Sequence, residues 1–406
     1  MCGILAASYK EARPLTEISR LIKNMEYRGY DSWGLVARDK KMKLYRGLGV
    51  VDTKKIIGKT RQVLAHTRWA THGGIKIKNC HPFCSCKKDL WLVHNGIVEN
   101  HNELRMKNHD YKSETDSEVM VHFLEKYSEL ERGIRDLAKI IKGKNSLVVF
   151  NKKDNGFVGY KYGSPLIVGY GQGVVQIVSD LGAFDQKINH IYYLQDQEMV
   201  TILPKQKIKI SHVLKNKEIK IEWKNFVQSQ QEIAEGQAMY KEILESDKVI
   251  KRIDGEKKLI VNFRNVILDS REVILVGCGS ASIAAEMGAK LIASKLKKRA
   301  SAYCASEIKD VLESFDKNAL IVVLSQSGET MDLIEVTEIF LRKKFKVVGL
   351  INNPLSTLGR MVDKVYPLLA QREVAVVATK SFLAMIYWFM KVSEIIEKIA
   401  VIKKES

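Results

Sequence analysis

The chain has 406 residues, more than one hydrophobic core of about 250–300 residues supports, so two or three domains are expected. Apolar residues at 46% and charged residues at 28% match ordinary globular proteins and exclude disordered or collagen-like chains. Lys and Arg outnumber Asp and Glu by 66 to 47, and the resulting +19 would draw any anion. The basic pairs at 54–55, 152–153 and 343–344 are dispersed, with one cluster at 295–299 (KLKKR), so a solvated lysine-rich surface is expected, not a nucleic-acid or membrane partner. The longest apolar run, 382–390, is far short of the roughly 20 residues that span a bilayer. With no secretory signal visible and six scattered cysteines, a cytoplasmic protein with reduced thiols is expected.

In chain order, Thr115 followed by Glu118 forms a capping-box pattern that predicts a helix over about 116–130. The runs LVVF (147–150), GFVGY (156–160), PLIVGY (165–170) and VVQIVS (174–179), broken by Gly and Asn, predict an antiparallel, β-rich region. The polar stretch 226–250 reads as a partly helical connector. Beyond it, EVILVG (272–277), NALIVVLS (318–325) and KVVGLI (346–351) alternate with helix-length segments, the pattern of βαβ units around a buried parallel sheet. The expected domains are 1–225, the connector 226–250, and 251–406.

Cys2 directly follows the initiator methionine, a position at which removal of Met1 would give one residue both a thiol and a free α-amine. An α-amine titrates near about 7.7–8.0, close enough to neutrality to accept the thiol proton, so nucleophile and general base coincide. Around it stand RGYDSWGL (28–35), HTRWATHGG (66–74), HPF (81–83), VHNGIVENHNELR (93–105) and SETDSEV (113–119). Taken alone, Asn95-Gly96 reads as a hairpin turn, Asp116 as a first-turn helix acid and Trp69 as core. The sequence CHPFCSC (80–86) also invites a metal reading, but its spacing fits no common zinc pattern and no metal is expected.

Behind Met-Cys-Gly-Ile and in this order, these motifs resemble the glutaminase domain of class II glutamine amidotransferases, N-terminal-nucleophile (Ntn) hydrolases, and most closely that of glutamine:fructose-6-phosphate aminotransferases. The resemblance covers about the first 225 residues and implies an αββα sandwich. It implies Cys2 as nucleophile with Asn95 and Gly96 as oxyanion donors, the chemistry amide cleavage requires. It also implies Arg68 on the carboxylate of L-glutamine, Asp116 on its ammonium, Thr71 and His72 in a closing loop, and Trp69 as a movable ammonia gate.

In the second half, SQSGET (325–330) lies between an apolar strand and a helical run, where hydroxyls, an amide and backbone N–H groups make a phosphate cradle without metal. With GCGSAS (277–282), ASE (305–307) and EVAVVATKSF (373–382) it resembles a sugar-isomerase (SIS) domain, a three-layer αβα fold with a parallel sheet. The resemblance places Ser325, Gln326, Ser327 and Thr330 on the sugar phosphate, with Ser280 and Val376 nearby. A Rossmann reading of VILVGCGSAS lacks the third glycine and leaves SQSGET unexplained. Three departures stand out: Ala281 and Ala378 occupy hydroxyl positions and Gln237 replaces a histidine. The resemblance also implies a second SIS domain, carrying the Schiff-base lysine, the isomerising glutamate and the ring-opening histidine, where one is expected here, and the expected SIS domain 251–406 holds no histidine. The expected function is glutamine-dependent amination of fructose 6-phosphate or a related phosphosugar, without cofactor, in a homo-oligomer, with a separate SIS chain completing the synthesis. The rivals are a glutaminase subunit serving another phosphosugar and a non-catalytic sugar-phosphate sensor.

Overall fold

The computed structural model describes residues 2–227, 238–375 and 377–404. The chain divides into two compact units, Met1–Gln231 and Glu232–Ser406. No described helix is long and apolar enough to cross a membrane.

The first unit holds two antiparallel sheets. One runs in the order Lys224–Asn225, Ile188–Tyr193, Ile167–Gly171, Val174–Val178, Gly3–Pro14, Lys59–Arg68, Ser32–Arg38, Met42–Leu48. The other runs Lys217–Glu218, Ile208–His212, Glu198–Ile202, Gly156–Lys161, Asn145–Asn151, Leu90–Gly96, Phe83–Cys84. Successive side chains of a strand point to opposite faces, and both faces here are apolar. Leu5 and Ala7 therefore join Leu15, Ile18 and Ile22 of the helix Leu15–Lys23, while Ile4 and Ala6 pack between the sheets against Val93, Val148 and Phe157. On the far face of the second sheet, Leu147 and Val149 meet Val119 and Val121 of Glu118–Leu124 and Ile134 of Leu130–Ile140. Helix, sheet, sheet, helix gives the αββα sandwich.

The four predicted strand runs all form, but they split between the sheets: 147–150 and 156–160 pair in one, 167–170 and 174–178 in the other. The predicted helix over 116–130 is shorter, Glu118–Leu124, and every residue in it is buried. Its capping box does not form. Thr115 Oγ1 bonds Ser113 Oγ at 2.9 Å, and the Glu118 carboxylate turns back to the amides of Lys112 and the buried Ser113.

The second unit is a parallel five-stranded sheet in the order Arg299–Cys304, Glu272–Gly277, Leu320–Ser325, Lys346–Ile351, Lys364–Pro367. Val273 and Leu275 face the helices Lys257–Leu268, Ser280–Leu296 and Lys380–Lys404, whereas Ile274 and Val276 face Met331–Arg342. Burial on both sides explains why these strands read as unbroken apolar runs. The end of the stretch read as a connector contributes to this core through Val249, which shares the helix Ser246–Gly255 with the equally buried Ile253.

Candidate active site

Cys2 precedes the strand Gly3–Pro14, whose register pairs Gly3 with Thr67 and so sets Cys2 beside the end of the strand Lys59–Arg68. There the Trp69 backbone N–H points at Cys2 Sγ at 3.3 Å. Burial pushes the Cys2 thiol above its usual pKa, and the Trp69 amide, the terminal ammonium, Arg68 and Arg28 only partly offset this. The thiol is therefore protonated at neutral pH and needs a base to become a nucleophile.

Asn95 comes from the other sheet, at the end of the strand Leu90–Gly96, and its Nδ2 donates to the Cys2 carbonyl oxygen at 3.0 Å. The Asn-Gly pair is thus no hairpin turn: Asn95 stands opposite Ser146 and Gly96 opposite Asn145 within the ladder. Gly96 has φ +138°, and a Cβ there would lie 2.2 Å from the Lys144 carbonyl oxygen, so no other residue fits without displacing backbone.

His66 fixes the orientation of the Asn95 amide. Its Nε2 sits 3.0 Å from the His94 carbonyl oxygen and 3.1 Å from Asn95 Oδ1. Burial lowers its pKa to about 3, so the ring is neutral, and facing two acceptors assigns the hydrogen to Nε2. Asn95 Oδ1 is thereby engaged and its NH2 group is left to face Cys2. Arg28, inside the RGYDSWGL motif but without an assigned role, donates from Nε to the Cys2 carbonyl at 3.3 Å and pairs with Asp180 at 3.2 Å. These two residues were missed because their partners lie 26 to 152 positions away.

The remaining sequence-predicted residues form the rim. Arg68 is buried and its guanidinium is wrapped by the carbonyls of His72, Gly73 and Gly74, so the loop and the cation are tied together. Thr71 and His72 are exposed, and the His72 ring meets His101 at 5.6 Å. Trp69 is not core: it is 38% exposed and edges onto Tyr30 at 5.2 Å. Asp116 is buried, its Oδ2 accepting from the Val98 amide at 2.7 Å, two residues beyond Gly96.

Three imidazoles under this site are buried and held neutral. Burial lowers the pKa of His66, His81 and His94, with Asp116 and Asn145 only partly opposing it at His94. In the unfolded chain each takes a proton near about 6.5. Below that pH the unfolded state holds more protons, so stability falls with acid, by about 1.4 kcal/mol per pH unit per imidazole. His122 acts oppositely, since Glu118 and Glu125 outweigh the burial that disfavours its charge, leaving three against one. The urea midpoint is expected to drop markedly between pH 7 and pH 5; a flat profile would mean that these rings are hydrated.

In the second unit, Ser280, Ser325, Gln326, Ser327 and Thr330 line a single cleft of about 180 Å³. It opens at the carboxyl ends of the strands Glu272–Gly277 and Leu320–Ser325, adjacent strands whose following helices, Ser280–Leu296 and Met331–Arg342, both begin at the cleft. The strand order reverses here, which is where open α/β sheets offer a crevice. Ser325 Oγ accepts from the Gly328 amide at 2.8 Å and Ser327 Oγ from the Glu329 amide at 3.1 Å, shaping a turn whose hydroxyl protons remain available. Gly328, at φ +68°, packs so closely that a Cβ would reach within 1.9 Å of Ser356 Oγ. Ala281, Ala378 and Phe382 make part of the wall apolar, and Cys278, Leu324, Ser381 and Met385 line the cleft without having been anticipated. Val376 and Gln237 lie outside the described residues. Lys380 is buried against Glu245 and stands apart from the cleft lining.

A glutamine amidotransferase domain profile matches residues 44–233, and a SIS domain profile matches residues 266–391. The glutamine–fructose-6-phosphate aminotransferase (isomerizing) of Thermus thermophilus is 31% identical over 410 residues, covering 95% of this chain and 67% of its own. The enzyme of the same name from Geobacillus kaustophilus is 30% identical, covering 95% and 68%. That from Methanothermobacter thermautotrophicus is 28% identical over 404 residues, again covering 95% and 68%.

Proposed function

Because the chain belongs to the glutamine–fructose-6-phosphate aminotransferase family, we propose that it hydrolyses glutamine at Cys2 and delivers the ammonia to fructose 6-phosphate, giving glutamate and glucosamine 6-phosphate. The observation that carries this is the convergence on Cys2 of the Trp69 amide and the Asn95 side chain, oriented by His66.

With Met1 removed, the α-amine of Cys2 takes the thiol proton, and the thiolate attacks the glutamine carboxamide carbon. The developing oxyanion receives hydrogen bonds from Asn95 Nδ2 and the Gly96 amide. Collapse transfers the proton to the leaving nitrogen, ammonia departs, and water cleaves the γ-glutamyl thioester. Arg68 turns from the loop carbonyls to the substrate carboxylate, a charge-assisted pairing stronger than those it leaves. Asp116 binds the ammonium, Thr71 and His72 close with the Arg68 loop, and the exposed Trp69 gates ammonia. In the SIS domain the two helix N-termini, with Ser280, Ser325, Gln326, Ser327 and Thr330, hold the sugar phosphate. The apolar wall at Ala281 and Ala378 favours a second reading of the acceptor, a different phosphosugar.

Ring opening and proton transfer between two sugar carbons require acid–base groups poised near neutrality, and the SIS-matched residues 266–391 include no histidine. A second SIS polypeptide supplies them in this reading. The purified chain is expected to release glutamate from glutamine and to bind fructose 6-phosphate saturably, with glucosamine 6-phosphate appearing only after such a polypeptide is added. A chain that binds phosphosugar but releases no glutamate is a sensor. Aminosugar made by the chain alone at the rate of glutamate release would place the isomerising groups within it.

A further inference from the structure

One cluster of metal-ligating side chains lies outside both sites. Cys86 follows the short strand Phe83–Cys84, His109 lies between the helices His101–Leu104 and Glu118–Leu124, and His122 and Glu125 sit three residues apart at the end of the latter. One ligand atom from each falls within 4.8 Å of all the others, the one such group among the described residues to combine a thiol, two imidazoles and a carboxylate. We propose that Cys86, His109, His122 and Glu125 form a tetrahedral site for a zinc-class divalent ion.

The spacing suits the ion. Cys86 Sγ is 3.6 Å from His109 Nδ1 and 3.6 Å from His122 Nδ1. A tetrahedral zinc with bonds of about 2.3 Å to sulfur and about 2.0–2.1 Å to nitrogen separates those ligands by about 3.5–3.6 Å. Both imidazole Nδ1 atoms converge on one carboxylate oxygen, Glu125 Oε1, at 2.7 and 2.8 Å. Four groups directed at one another from three segments leave a centre that a cation fills once Oε1 retreats by about half an ångström to a ligand spacing. Glu125 is already oriented for this, because its Oε2 accepts from the Cys86 backbone N–H at 2.8 Å. Behind His122, the Glu118 carboxylate, anchored by the Lys112 and Ser113 amides, stands 3.8 Å from Nε2, which makes no hydrogen bond; an approach of about half an ångström would give the outer-sphere contact that orients a metal-bound imidazole. Cys86 is exposed and provides the way in, whereas His122 is buried.

The thiolate with two imidazoles selects zinc over the hard, oxygen-seeking cations. The cysteine spacing alone did not indicate this, since Cys80 turns instead toward the carbonyls of Gly47 and Lys76. The ion would pin the segment 105–117, which contains Asp116, between the turn at Cys86 and the helix Glu118–Leu124. The site does not depend on the glutaminase reading.

The full chain, stripped by chelator and kept reduced with a phosphine, is titrated with zinc sulfate against a chromophoric chelator and, separately, with cobalt chloride. Wild type and a Cys2→Ser control are expected to bind zinc stoichiometrically, with a thiolate-to-cobalt charge-transfer band and the visible bands of tetrahedral cobalt. In Cys86→Ser and His109→Asn, zinc affinity is expected to fall at least about 100-fold and the charge-transfer band of Cys86→Ser to vanish. Zinc is also expected to raise the thermal midpoint of wild type and of Cys2→Ser but not of Cys86→Ser, whose cooperative unfolding checks that it is folded. Undiminished zinc affinity in Cys86→Ser and His109→Asn, or no saturable binding by wild type, would overturn the site and leave a cluster held by protons alone.

Discussion

Cys2→Ala is expected to reduce glutamine hydrolysis to background, a fall of at least about 10⁴-fold, with the fold unchanged. The acyl-enzyme route has one nucleophile, and loss of such a group removes nearly all catalysis because the others act only through it. Stability should move by no more than about 1 kcal/mol, since the side chain is small and half-buried. Intact mass should show a mature chain lacking Met1, and a glutamine-like diazoketone should label Cys2 alone. Chain that retains Met1 has its Cys2 nitrogen locked in an amide, which is no base, and should be as inactive as Cys2→Ala while keeping the thiol. Full glutaminase activity in either form would remove the single-residue nucleophile and base.

Asn95→Ala should carry the next largest effect, a loss of about 10²–10³ in kcat with KM for glutamine little changed, because an oxyanion donor acts in the transition state. Its Nδ2 reaches the Cys2 backbone at 3.0 Å, so it stands where charge develops during attack by that residue. His66→Leu should lower kcat as well, since without the Nε2–H contact the Asn95 amide is free to flip its oxygen toward Cys2. His66→Gln places an amide N–H near the position of Nε2 and should restore much of the activity. If His66→Leu and His66→Gln fall equally, and in step with their unfolding midpoints, His66 is a packing residue.

The residues proposed to carry the chemistry stand out in the sequence because they travel in short motifs: Cys2 at the chain start, Arg68 to His72 in one run, Asn95-Gly96 in another, SQSGET after an apolar strand. The strands were legible too, since period two and unbroken apolar runs are local signals. The sequence could not say which strands share a sheet. The runs at 147–160 and 167–178 look alike, yet they lie in different sheets, because pairing depends on surfaces far apart in the chain. Thr115 and Glu118 made a plausible cap that the structure does not use, since the buried Glu118 carboxylate is taken up by the amides of Lys112 and Ser113 instead.

Tertiary structure alone decided what surrounds each reactive group. Cys2 and Asn95 are 93 residues apart and belong to different sheets, so their contact exists only when the sandwich closes. The role of His66 follows from that contact, and its neutral state from burial that composition does not reveal. The residues proposed to hold the phosphosugar line one cleft because two parallel strands end side by side, each followed by a helix that begins there, a property of strand order. Cys86 left its neighbouring cysteines for two histidines 23 and 36 positions onward, drawn there by the packing of a helix against a turn. The residue types were thus set by the sequence, while their partners were set by long-range packing, whose free energy appears only when the whole core is buried.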